Sequence, residues 1–143
     1  MENGYNLALI VGSGLSTIAA LLHLGIILVG PRWYRLFGAG DRFVQAAEAG
    51  RLFPTVVTIG IALVLFTWAA YALSGAGVIE QLPLLRPILC AITLVYLLRA
   101  LLGPRLLAGT GRSRRFIVVS SVICLGYGLV HLLGLIQRWE LLV

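Results

Sequence analysis

Apolar and polar positions divide this chain into four long apolar runs joined by short polar stretches. The first, Leu7–Gly30, holds no charged residue, and Pro31 follows it directly. The others cover about 52–74, 82–103 and 116–137. A bilayer's hydrocarbon core takes roughly 20 helical residues at about 1.5 Å each, so every run is long enough to cross it. The third is the least uniform, because Arg86 and Arg99 leave only twelve uncharged residues between them. Thirteen positions of helix separate the two guanidinium groups by roughly 20 Å, which lets each reach its own interface. The pattern predicts an all-α fold: a transmembrane up-down-up-down four-helix bundle, all of residues 1–143 forming one integral membrane domain.

The connections predict smaller features. Arg32, Trp33, Tyr34 and Arg35 read as an aromatic and basic anchor at the membrane interface. In GAGDRFVQAAEAG, Asp41 suits a helix N-cap, Phe43, Val44 and Ala47 share one face, and Gly50 is a stop; this predicts one short amphipathic helix in the headgroup layer. Pro54 falls in the first turn of span two, where its missing N–H is tolerated. Gly103-Pro104 is expected to end span three. The two GAG triplets, Gly38–Gly40 and Gly75–Gly77, read as turns, and Glu80 and Arg86 as a weak rim pair.

Composition agrees with a membrane class: 60% of residues are hydrophobic and 11% charged, too little polar surface for a water-soluble domain of 143 residues. The net charge of +6 comes from eleven basic residues, all arginine. Eight lie in the first and third loops: Arg32, Arg35, Arg42, Arg51, Arg105, Arg112, Arg114 and Arg115. By the positive-inside rule those loops are cytoplasmic and both termini lie across the membrane. The arginines are therefore read as topology signals and partners of anionic lipid headgroups, Arg112, Arg114 and Arg115 among them, and no nucleic acid is expected. MENGYN lacks the basic start of a cleaved secretory signal. Cys90 and Cys124 fall inside apolar runs and read as packing residues.

Candidate chemistry must then sit within the bundle. Counting rise from the span midpoints puts His23, Thr58, Tyr96, Arg99, Ser120 and Ser121 in a layer on the cytoplasmic side. His131, Trp68, Tyr71, Cys90, Ser13 and Ser16 fall in an outer layer. Each histidine shares a helix face with small residues, Gly12, Ser16, Ala19 and Ala20 for His23, and Ser121, Cys124 and Gly128 for His131. Such faces let membrane helices approach closely, within a chain or in a homo-oligomer. Ser13 and His23 stand ten apart, as do Ser121 and His131, a faint echo in helices of opposite direction. An imidazole in a span holds helices in register by a hydrogen bond, or serves as a proton-relay or ligand group. A haem held between His23 and His131 is disfavoured within one chain, because the rings would lie about 15 Å apart along the normal; only an oligomer avoids that. Arg99, one turn beyond Tyr96, suits a lipid phosphate or a carboxylate, or simple snorkelling to the interface. Trp68, Tyr71 and Tyr127 suit an apolar pocket.

No span contains a carboxylate, and no metal-spaced cluster or phosphate-cradling glycine loop occurs, so catalytic residues, metal and cofactor are all expected to be none. The runs GPRWYRLFGAGDR, FPTVVTIGIALVLFTWAAYALSGAG and LPLLRPILCAITLVYLLRALLG resemble small four-span inner-membrane proteins of Gram-negative bacteria. That resemblance implies a bacterial inner-membrane address and no activity. The function expected from the residues is non-catalytic binding of a lipid, another apolar ligand or a partner protein. The alternatives are a small oligomeric transporter or channel using the histidines, and a membrane enzyme or haem-binding protein.

Overall fold

A computed structural model describes residues 4–142, and among them the regular structure is entirely helical. Six α-helices follow in order: α1 (Leu7–Val29), α2 (Pro31–Leu36), α3 (Asp41–Glu48), α4 (Phe53–Gly75), α5 (Leu85–Leu106) and α6 (Arg114–Arg138). A 3-10 turn, Trp139–Leu141, closes the chain. The four long helices are each long and apolar enough to cross a membrane, the property of a multi-pass membrane protein. They alternate in direction, so α2, α3 and the α5–α6 loop share one end, here the arginine end. The first described residues, the closing 3-10 turn and the α4–α5 loop share the other, the terminal end.

Several boundaries differ from those the pattern predicts. Span three starts at Leu85 rather than at residue 82, because the Leu82 N–H donates to Ser74 Oγ and Leu84 takes a left-handed backbone after Pro83. It also continues past Pro104, since a proline in the last turn removes only its own N–H, and Leu107 N still reaches Gly103 O at 2.9 Å. The first connection contains two helices instead of one: Gly30 turns the chain with φ of 82°, and Pro31 opens α2 rather than only ending α1. Asp41 is the first residue of α3, and Gly40 precedes it as the cap.

The bundle is two tight hairpins, α1 against α4 and α5 against α6, joined chiefly where α1 meets α6. The terminal end is sealed. Leu9 is fully buried, and together with Leu85, Leu89, Ile92, Leu135 and Leu142 it forms the main core there. Asn6 ties three helices at once. Its Oδ1 caps α1 by accepting from Leu9 N at 2.8 Å, its Nδ2 donates to Gln137 Oε1 at 2.7 Å, and its N–H reaches Ala76 O at 3.0 Å. Arg138 adds donors from Nε and Nη2 to the end of α4, at Gly75 O and Ala76 O, where a cation complements the helix dipole.

His131, with no exposed surface, lies where α6 crosses α1. A Cβ added at Gly12 would sit 2.8–3.1 Å from three of its ring atoms, so the two helices meet this closely only because residue 12 lacks a side chain. The small-residue face of α1 (Gly12, Ser16, Ala20) is thus spent on packing inside the chain.

Candidate functional site

At the arginine end the two hairpins diverge and leave between them an open cavity of about 730 Å³, lined by residues of α1, α4, α5 and α6 and by Phe37 just after α2. Its walls are aliphatic, with Leu22 and Ile26 from α1, Val57, Ile61 and Val64 from α4, and Val95 from α5. Measured along α4 from Val57 to Trp68 it is about 16 Å deep, which matches one leaflet of a hydrocarbon core about 30 Å thick.

Tyr96 makes the floor. Its ring packs edge-on against Trp68 at 5.1 Å and Tyr127 at 5.3 Å and tilts onto His131 at 5.2 Å, while its hydroxyl shares a 2.9 Å hydrogen bond with Ser16. Because α5 starts three residues later than the apolar pattern predicts, Tyr96 lies near the helix midpoint. Its placement differs from the sequence expectation: it joins Trp68, Ser16 and His131 rather than the layer of His23 and Arg99.

Polar groups gather at the opposite end. His23, Arg99 and Ser120 line the cavity there, and Arg99 Nη2 donates to Ser120 Oγ at 3.2 Å. His23 Nδ1 lies 2.7 Å from Ala19 O. A carbonyl only accepts, so Nδ1 carries the proton and a neutral ring leaves Nε2 as an acceptor. A second cavity of about 300 Å³ adjoins the first, sharing His23, Arg99 and Phe37, and adds Arg112, Tyr34, Thr58 and Phe43.

Arg112 holds this second cavity in shape. Nε and Nη2 donate to Gly38 O at 2.6 Å and Ala39 O at 2.8 Å, docking the α5–α6 loop on the α2–α3 turn. Gly38 is required there, with φ of 62° and with its missing Cβ in the space of the Phe116 ring. Burial lowers the Arg112 guanidinium's affinity for its proton below the ordinary value, and the like charge of Arg99 adds to this.

The remaining expected residues lie outside the main cavity. Thr58 donates to Pro54 O and accepts from the Tyr34 hydroxyl at 3.0 Å. Tyr34 is therefore buried, pinning α2 onto α4, where the pattern suggested an interfacial anchor. Ser121 sits off the cavity beside Gly103. Tyr71, also outside it, donates to Pro83 O at 3.2 Å. Trp33 packs over Gly25, Arg32, Arg114 and Arg115 are exposed, and Arg35 pairs with Glu48. Arg86 lies over the Trp139 ring and donates to the Trp139 carbonyl at 3.2 Å instead of meeting Glu80.

His131 repeats the Nδ1 bond of His23, to Tyr127 O at 2.8 Å, but its Nε2 is buried without a partner and sealed from the cavity. An axial role for it would require α1 and α6 to separate. Gly12 was legible as part of the small-residue face of the first span, whereas Asn6 and Gln137 were not singled out by the apolar pattern. Asn6 was findable as an N-cap immediately ahead of an apolar run.

The arrangement defines an all-α, membrane-length bundle with an open apolar cavity between its hairpins and a cationic end to that cavity. No protein-family model, curated protein or solved structure matches the chain.

Proposed function

We propose that this protein is a non-catalytic membrane protein that holds a hydrocarbon-chain ligand inside its bundle. The observation carrying this reading is the cavity at the arginine end. Its volume of about 730 Å³ falls in the roughly 300–1,000 Å³ of ligand pockets, and its depth suits one acyl chain. Charge is confined to one end, as in an amphiphile.

The arginine bias of the first and third loops puts that end at the cytoplasmic face, and the resemblance of the sequence favours a bacterial inner membrane. The ligand then comes from the inner leaflet. A transport path through one chain finds less support, because Asn6, Arg138 and the leucine core close the terminal end.

The test is native mass spectrometry from a gentle detergent. The expected spectrum shows the chain with a bound adduct of lipid mass that survives mild activation. Bare protein under conditions that preserve lipid on a control membrane protein would contradict the reading.

A further inference from the structure

The two guanidinium groups beside the cavity serve the bundle's own packing only in part. Arg99 and Arg112 both line the smaller cavity, and each guanidinium has five N–H donors. One contact of Arg99 is accounted for, to Ser120; its Nη1 is buried against Gly103 and Ser121, off the cavity, which leaves Nε and the second hydrogen of Nη2 for a ligand. Arg112 spends Nε and Nη2 on backbone carbonyls, leaving Nη1. Two like charges facing one space repel, and burial strengthens the effect.

A carboxylate would normally resolve this, yet none lines either cavity. Asp41 lies against Gly111 and pairs with neither arginine, the one ion pair among the described residues being Arg35–Glu48. His23 supplies no negative charge in either protonation state. The missing partner is an anion from outside the chain. Because the small cavity runs into the apolar one through His23, Phe37 and Arg99, that anion can carry a hydrocarbon tail.

We infer that the ligand is an anionic amphiphile, its phosphate-type headgroup seated between Arg99 and Arg112 and its chain running to the Tyr96 floor. This rests on the chain-binding reading and adds the ligand's charge. The guanidinium plane presents paired donors that match phosphate oxygens. The Nε2 of His23 is placed to accept from a headgroup hydroxyl.

Trp68 in the lining provides the readout. In a Trp33→Phe, Trp139→Phe background, its fluorescence is titrated with brominated-chain lysophosphatidate and with a brominated monoacylglycerol of the same chain, in a neutral detergent. The expected result is at least tenfold tighter quenching by the phosphate probe, equivalent to about 1.4 kcal/mol. Arg99→Gln should abolish that preference, and a melting temperature close to the parent's shows that the variant is folded. Arg112→Lys should weaken the preference and retain part of it.

Equal affinity for the two probes in the unsubstituted arginine protein would overturn the charge assignment and leave the chain-binding reading intact. No quenching by either probe would remove both. Displacement of the phosphate probe by inorganic phosphate at equal concentration would assign the arginines to a free anion and overturn the amphiphile.

Discussion

Leu9→Ala is expected to lower the stability of the detergent-solubilised protein by about 2 kcal/mol or more, near the lower end of large-to-small core substitutions. Leu9 is fully buried, and its side chain fills the space that a Cβ at Gly75 of α4 or at Gly134 of α6 would occupy. One side chain therefore joins three helices at the sealed end. The loss stays near that lower end because lipid solvates a leucine well, so what is lost is packing contacts rather than burial from water. The measurement is thermal unfolding beside Leu63→Ala, whose side chain is 62% exposed and whose change should stay within about 0.5 kcal/mol. Equal shifts for the two variants would mean that Leu9 does not close the bundle.

Gly60→Trp is expected to remove ligand binding without unfolding the protein. Gly60 lines the main cavity, and a Cβ there meets no heavy atom within 4 Å, so an indole enters open space. The substitution also relieves the helix of a glycine, worth roughly 0.5 kcal/mol in α4. Native mass spectrometry should show at least a tenfold fall in adduct occupancy, with a melting temperature no lower than that of the parent. An adduct retained at full occupancy would place the ligand somewhere other than this cavity.

The four long helices were legible because apolar length is a direct consequence of the lipid solvent, and no soluble alternative competes for 23 uncharged residues such as those of α1. Positions within the membrane were less legible. Counting rise places Cα atoms, whereas a helical side chain leans toward its own N-terminus. Tyr96 on α5 leans toward the terminal end and His131 on the oppositely directed α6 leans away from it, so two residues assigned to separate layers meet ring to ring. Arg99 runs the other way, its long stem carrying Nη1 to Gly103. The loops hid most. Nothing local in PRWYR says that Tyr34 turns inward, because its partner Thr58 is 24 residues away and its hydroxyl site depends on Pro54 O. Likewise Arg112 looked like one more headgroup contact in a basic loop, and only the fold shows it holding Gly38 and Ala39.

Occupation of the space between the diverging hairpins by a hydrocarbon chain is tested most directly by a structure determined by crystallisation from a lipidic mesophase. The expected result is continuous elongated density from the Trp68–Tyr96 floor to the guanidinium of Arg99. Hairpins closed on one another, with Val64 and Ile123 in contact across the former cavity and lipid density confined to the outer surface, would contradict it.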